Sequence, residues 1–245
     1  MKKSIKTYYI YKGQKIPLRI TLEWRKNVRI AIGKNEVFLR IPLLSSKRQI
    51  EKHKQWAQTW LDNQFESKPE LLKRFVEKKY VNGQTIKING IEFMLNIARE
   101  NRKNSSAKIN ENLIDIKIAD ALENDGLSQT VKTLLSRVLS KYFYQEIKDR
   151  IDHINDQYVK EKYNDLRIKY NRSNWGSCSA KRNLNISSRL LFAPKEIQDY
   201  VFLHELTHLK ELNHSKRFWS LIATVDPNFK EKEKWLKTNG HLCDF

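Results

Sequence analysis

The chain is poor in cysteine and has no long apolar run, and each of these absences narrows the class of protein. Of its 245 residues only two are cysteines, Cys178 and Cys243, which lie far apart and form neither a C-x-x-C motif nor a disulfide framework. No apolar run approaches the roughly 18 residues of a membrane-spanning helix. The basic start of the chain has no apolar stretch of signal-peptide length. We therefore expect a cytoplasmic protein with reduced thiols and no membrane partner.

Negative charge is also scarce, and the imbalance is uneven along the chain. The net charge is +19. Residues 1–120 hold 26 Lys and Arg against 12 Asp and Glu, a net charge of +14, and residues 121–245 hold 21 against 16, a net charge of +5. A basic half of this kind is typical of a surface for nucleic acid or another polyanion. The alternative is a lysine-rich solvated surface, because no recognised nucleic-acid motif accompanies the charge.

Hydrophobic periodicity predicts an α+β protein with a strand-rich first half. Glycine-containing turns separate short alternating segments in that half, and these predict strands near residues 8–11, 16–20, 28–32, 36–41, 85–88, 91–97 and 113–119. A helix is expected at about 46–66, and residues 99–112 are expected to be a polar loop. The break at Asn124-Asp125-Gly126 separates a basic, strand-rich N-terminal domain (1–125) from a second domain (126–245).

The second domain is predicted to be a small core around one buried helix. Helical spacing runs from Ser128 to about Tyr158 and is followed by strands at 166–170 and 184–191. The next segment begins at Pro194 and is almost entirely apolar apart from the polar side chains of a metal-binding motif. A further helix is expected after His214.

The motif is H-E-L-T-H-L-K-E-L-N-H, from His204 to His214. On a helix His204 and His208 share one face, so that two imidazoles can hold one Zn²⁺, and Glu205 is spaced to reach a water beside the ion. His214 is too far round a straight helix to join them, so we expect Asn213 to end the helix in a left-handed conformation. Three ligands with one open position are typical of catalytic zinc. The alternative is a core helix whose buried histidines are hydrogen-bonded within the protein and bind no metal.

Cys178 offers a fourth ligand in principle, although a small buried thiol is the simpler interpretation.

Residues 171–235 also carry a family resemblance. The stretches that carry it are Trp175-Gly176-Ser177-Cys178, Ala193-Pro194, the motif helix, and Asn213-His214-Ser215-Lys216-Arg217-Phe218-Trp219. Together they resemble the YgjP-like zinc metallopeptidases, which are related to the SprT-like and Wss1-like minimal zincins. The chain departs from the family pattern in having Asn174 where the family has Arg, and Ser187-Ser188 where it has Asn-Trp.

The resemblance implies a zinc peptidase with His204, His208 and His214 as ligands and Glu205 as the catalytic base. It also implies that the strand before the motif helix, residues 184–191, pairs with an extended polypeptide substrate. Weak candidates for stabilising the oxyanion are Arg172, Asn174 and Arg189. Two alternatives stay open: a zinc hydrolase of a non-peptide amide, and a nucleic-acid-binding protein with a structural or vestigial zinc site. A combined hypothesis, by analogy with SprT-like relatives, is a peptidase acting on nucleic-acid-associated proteins.

Overall fold

The computed structural model describes residues 3–33, 36–75 and 78–245, which fall into two compact units, residues 1–77 and 78–245. Sheets and helices occur in both units, and this confirms the predicted α+β class. The predicted domain boundary after residue 125 stays a prediction. Among the described residues no helix is both long and apolar enough to cross a membrane.

The first unit is a four-stranded sheet with one helix. Its elements are β1 (Lys3–Tyr11), β2 (Gln14–Glu23), β3 (Arg29–Ile32), β4 (Val37–Pro42) and α1 (Lys47–Ser67), followed by a 3₁₀ helix at Pro69–Phe75. The strand order is β1-β2-β4-β3, in which β2 and β4 are parallel and the other pairs are antiparallel. Ser46 and Gln49 form a capping box that starts α1 where the sequence predicts it.

Side chains that alternate along these strands give the sheet two different faces. One face is apolar and packs with α1, contributing Tyr9, Ile16 and Leu39 to the core, against Ala57 and Leu61 of the helix. The alternate residues lie on the opposite face.

The second unit begins with a sheet that contains one strand the sequence analysis missed. Its strands are β5 (Thr85–Ile88), β6 (Ile91–Glu100), β7 (Ser106–Asn110) and β8 (Leu113–Ala119), in the order β5-β6-β8-β7. The predicted loop at 99–112 therefore contains β7. Only Ala107 and Ile109 are apolar in this strand, and they pair with Ile116 and Ile114. Two apolar positions in a polar segment are too few for periodicity to detect.

Two helices replace the single long helix predicted after β8. They are α2 (Asn124–Tyr142) and α3 (Tyr144–Ile154), which is followed by a π-helical turn at Asn155–Val159. The predicted break at 124–126 lies inside the first turn of α2, where one glycine is tolerated. The interruption falls at Phe143 instead, whose side chain is fully buried.

A small third sheet leads into the motif helix. Its strands are β9 (Asp165–Lys169), β10 (Gly176–Cys178) and β11 (Asn183–Ser187), in the order β10-β11-β9. The strand before the motif helix, which is expected to pair with a substrate, has no free edge for this. β11 lies between two partners, parallel to β9 and antiparallel to β10, and the chain turns into a 3₁₀ helix at Ser188–Phe192. The edge strands of this sheet are β10 and β9.

The motif helix, α4 (Lys195–Thr207), begins directly after Pro194 and is buried on nearly all sides. Gln198, fully buried, fixes its first turn: its amide donates to the carbonyl oxygen of Ala193 at 2.9 Å and to Asn89 at 3.1 Å, and it accepts from Arg150 at 2.7 Å. Two further helices complete the chain, α5 (Lys216–Val225) and α6 (Phe229–Asn239).

Candidate metal centre

The structure brings the three predicted histidine ligands together. One ring nitrogen from each of His204, His208 and His214 lies within 4.8 Å of the other two. The Nε2 atoms of His204 and His214 are 3.0 Å apart. Two nitrogens at the usual Zn–N distance from a tetrahedral ion are separated by roughly 3.3 Å, so the cluster has the dimensions that such an ion requires.

The protonation of these imidazoles also suits a cation. Burial, together with the two neighbouring imidazoles, lowers the pKa of His204 to about 3. Burial lowers the pKa of His208 as well. Both rings are therefore neutral at physiological pH. The Nδ1 atom of His208 lies 3.0 Å from the carbonyl oxygen of Glu211, and donation there leaves Nε2 with a free lone pair.

One aromatic side chain supports all three rings. The centroid of Phe218, which is fully buried, lies 4.9 Å from His204, 4.5 Å from His208 and 4.8 Å from His214. Trp219 stacks on His214 at 5.6 Å. Such packing restricts ring rotation, so the ligands are preorganised.

The chain returns to the cluster by a different route from the one expected. α4 ends at Thr207, and the amides of Lys210 and Glu211 donate to the carbonyl oxygen of Thr207 in the turn that follows. Asn213 is not among the described residues with positive φ, so its predicted left-handed conformation is wrong. The helix ends earlier because the turn forms at Thr207. The Oγ of Ser215 then caps α5 by accepting from the amide of Phe218, which fixes His214 one residue before the cap.

Glu205 lies beside the cluster and against the edge strand β10. It is 6% exposed, and burial raises its pKa to about 8, although the backbone N–H of Cys178 donates to its carboxylate and partly offsets the rise. A cation held by the histidines would favour the ionised form, because an opposite charge lowers a carboxyl pKa. A Cβ atom at Gly176 would lie 2.6 Å from both Cγ and Oε1 of Glu205, so this contact requires glycine.

Cys178 contributes its backbone rather than its thiol. It is not part of the histidine cluster found among the described residues. Burial, and next the charge of Glu205, raise the pKa of its thiol to about 11, so the sulfur is protonated at neutral pH. Cys178 is therefore a half-buried thiol, more exposed than the buried thiol expected from the sequence.

Arg189 is buried and contacts Trp175, the residue before strand β10. It is 3% exposed, and its guanidinium lies 4.3 Å from the ring centroid of Trp175. It donates to the carbonyl oxygens of Cys243 and Gly240, both at 2.8 Å, and to that of Arg172 at 3.4 Å. The side chain is buried and all three of its nitrogens donate to carbonyl oxygens, which argues against Arg189 as an oxyanion candidate.

The other two weak candidates lie on the surface. The side-chain amide of Asn174 donates to the carbonyl oxygen of Gly176 at 2.8 Å, and Arg172 is exposed.

Sequence reasoning missed the part that Gly176, Glu211 and Phe218 play around the histidines. Only Gly176 carried a signal, since glycine within a strand often marks a close approach.

Three imidazoles around one point, with a buried carboxylate beside them, form the kind of site that metal-dependent hydrolases use. A family model described as "YgjP-like, metallopeptidase domain" matches residues 26–239. This match spans well over half the chain, so the chain belongs to the YgjP-like metallopeptidase family, as its motifs indicate. Membership implies a metal ion.

Individual proteins match over shorter stretches. The chain is 29% identical over 68 residues to the UTP pyrophosphatase of Escherichia coli (strain K12); this is 28% of the chain, which spans 41% of the length of that relative. Two solved metallopeptidase zymogens each align with 38% of the chain. Abylysin of Pyrococcus abyssi is 27% identical with 92% of its own chain covered, and jannalysin of Methanocaldococcus jannaschii is 23% identical with 94% covered. Both TM-scores are 0.35, which does not by itself establish a shared fold.

Proposed function

We propose that the protein is a zinc-dependent peptidase in which Glu205 is the catalytic base. The observation that carries the proposal is the convergence of His204, His208 and His214 beside a buried carboxylate that lies against an edge strand. Three imidazole nitrogens suit Zn²⁺ better than Ca²⁺ or Mg²⁺, which prefer oxygen ligands. Zinc bound there would act as a Lewis acid, lowering the pKa of a water molecule and polarising the carbonyl group that is attacked.

Glu205 is placed for general acid–base work. Its carboxylate is one residue from a ligand and is spaced for the attacking water rather than for the ion. It would accept a proton from that water and later deliver it to the leaving amine. The N–H of Cys178 and the lack of a side chain at Gly176 hold the carboxylate in place. A fixed base reacts without first having to be oriented.

The edge strand β10 offers a place for an extended polypeptide. The N–H of Cys178 donates to Glu205, so it points away from β11 and towards the free edge of the sheet. A substrate strand added there would pair with the main-chain groups of this edge that Glu205 and Asn174 leave open, next to the base. We therefore propose residues 176–178, in place of 184–191, as the strand that pairs with a polypeptide substrate.

Substrates associated with nucleic acid are a narrower form of the same proposal. The support is the positive charge of the N-terminal half, where residues 1–120 carry a net charge of +14. Cleavage of a DNA- or RNA-bound protein should then be faster than cleavage of the same protein alone.

A second candidate is hydrolysis of the phosphoanhydride bond of a nucleoside triphosphate. The observation that favours it is the matching stretch in the UTP pyrophosphatase of Escherichia coli. The same cluster and Glu205 would serve either reaction, because both need an activated water and an electrophile polarised by the metal.

One experiment separates the two. Zinc-loaded protein and its Glu205→Gln variant are incubated with a mixed proteome, with and without DNA, and cleavage sites are read by mass spectrometry; a parallel reaction with UTP measures pyrophosphate release. We expect new peptide termini from the parent and few from the variant. Pyrophosphate release without peptide cleavage would replace the first proposal by the second. Equal peptide cleavage by both proteins at full zinc occupancy would exclude Glu205 as the base.

A further inference from the structure

The face of the first sheet that points away from α1 carries a concentration of cations. Antiparallel pairing puts Lys6 directly opposite Arg19 and Arg29 directly opposite Arg40, and β2 and β4 bring Arg19 next to Phe38. Residues directly paired across strands lie on one face. We call this the outer face and define it by Lys6, Tyr8, Lys15, Arg19, Arg29, Phe38 and Arg40.

The pairing on the outer face is electrostatically unfavourable as it stands. Like charges directly opposite each other destabilise a sheet. Arg19 is compensated, because Glu36 accepts from its Nε at 3.0 Å and from its NH2 at 2.8 Å. Across the described part of the chain, Lys6, Arg29 and Arg40 take part in no ion pair, and all three are exposed. A bound anion would relieve this repulsion.

Aromatic rings lie among these cations. Tyr8 is 63% exposed, although it lies within a regular strand. Phe38 is half-buried, with the guanidinium of Arg19 6.0 Å from its centroid. Exposed rings next to cations on an open sheet are the arrangement with which proteins bind single strands, stacking bases on the rings while cations contact phosphates.

The net charge of the first unit, residues 1–77, also favours an anionic partner. Residues 1–77 hold 18 Lys and Arg against 7 Asp and Glu, a net charge of +11. More than half of the chain's excess charge therefore lies in less than a third of its length. A polyanion is the partner that complements such a surface.

We propose that the outer face binds single-stranded nucleic acid, with Lys6, Arg29 and Arg40 contacting phosphates and Tyr8 stacking on a base. A double helix is the weaker alternative, because its bases are stacked internally and offer no face to Tyr8. Binding of single-stranded nucleic acid needs neither the histidine cluster nor Glu205. Its test is therefore independent of the test of the proposed peptidase activity.

The test uses the full-length protein and fluorescein-labelled oligothymidylate and oligouridylate of about 20 nucleotides, longer than common single-strand site sizes. The triple variant Lys6→Gln/Arg29→Gln/Arg40→Gln is compared with Lys47→Gln/Arg48→Gln/Lys52→Gln. The control removes the same charge from exposed positions of α1 in the same unit.

Fluorescence anisotropy is measured across a salt series. We expect the outer-face variant to lose about 100-fold in affinity near 0.1 M salt, and its slope of log K against log salt to fall by about 2, since each single-strand phosphate contact contributes roughly 0.7. The control should keep the parent's slope. Binding of either oligonucleotide supports the proposal, and the two probes separate DNA from RNA. Equal losses in the two triple variants would overturn it, as would no binding at low salt.

Stacking is tested with Tyr8→Leu against Trp56→Leu, which removes an exposed ring from α1. Tyr8→Leu should weaken single-strand binding about tenfold without changing the salt slope, because stacking is worth roughly 1–3 kcal/mol per base. Trp56→Leu should have no effect. A duplex or heparin bound as tightly as single strands, with no effect of Tyr8→Leu, would overturn the single-strand assignment in favour of a general polyanion surface.

Discussion

A different local structure positions each of the three histidines in the cluster. His204 projects from the last turn of α4, His208 follows the end of that helix, and His214 precedes the cap of α5. The first two positions follow from helical spacing. The third depends on a turn and a cap, so His214 is the ligand for which a direct test is most informative.

His214→Ala should weaken zinc binding by roughly 10²- to 10³-fold, if the ~10–16 kcal/mol of a structural zinc site is shared among its ligands. The measurement is competition against a chromophoric chelator. His53→Ala, in α1, is the control and should bind zinc as the parent does. The same zinc affinity in the His214 variant and the parent would remove His214 from the site.

Gly176→Ala should displace the base while leaving the metal ligands intact. The added Cβ would lie 2.6 Å from the Glu205 carboxylate, and a displacement of about 1 Å is enough to cost on the order of 10² in rate. Zinc content and peptide turnover are measured together. Ser177→Ala, at the exposed neighbouring position, should keep both. Full activity in Gly176→Ala would show that Glu205 tolerates movement.

At the level of elements, sequence reasoning succeeded where a pattern is local. The helix that begins after Ser46, the alternating strands on either side of it and the apolar helix around His204 rest on local patterns of this kind, and each lies close to where it is predicted. It failed where the outcome depends on contacts with another element. Strand β7 is defined by pairing with β8, and β11 became an interior strand because β10 folds back beside it.

The geometry around the base could not be predicted for the same reason. Gly176 and Glu205 are far apart in sequence, and a glycine within Trp-Gly-Ser-Cys does not reveal which side chain it accommodates. Spacing supplied the histidines and the carboxylate but not Phe218, whose apolar side chain looks like any core residue.

The buried Arg189 joins three backbone segments and should be important for stability. Arg189→Met would leave the carbonyl groups of Gly240 and Cys243 buried without a donor, and each such group costs ~1–3 kcal/mol. We expect the free energy of unfolding to fall by about 3 kcal/mol, measured by urea denaturation. Arg172→Met is the exposed control. Equal stability of the two variants would mean that water replaces the guanidinium.

At the scale of the whole molecule, the two compact units have separate cores, residues 1–77 around α1 and residues 78–245 around the motif helix. Only the second contains the histidine cluster. A ligand that binds the folded form alone stabilises it by RT ln(1 + [L]/Kd), which is about 2.7 kcal/mol at 100 times Kd.

Calorimetry should therefore show two thermal transitions, of which zinc raises one. The expected control is the Glu205→Gln variant, which keeps the ligands and should show the same shift. A single transition that moves as a whole would mean that the units unfold together. A zinc-dependent shift retained after His204→Ala and His214→Ala would place the metal elsewhere.

The position of Phe218 beneath all three imidazoles has a consequence for how occupancy of the cluster can be observed. An ion that holds the imidazoles together also restricts the ring they rest on, so local opening of this segment and dissociation of the ion are linked equilibria. The backbone amide of Phe218 donates to Ser215 Oγ at 3.2 Å and must lose this bond before it can exchange with solvent. Hydrogen–deuterium exchange at this one amide should therefore slow as zinc is added, and it would report loading without any substrate.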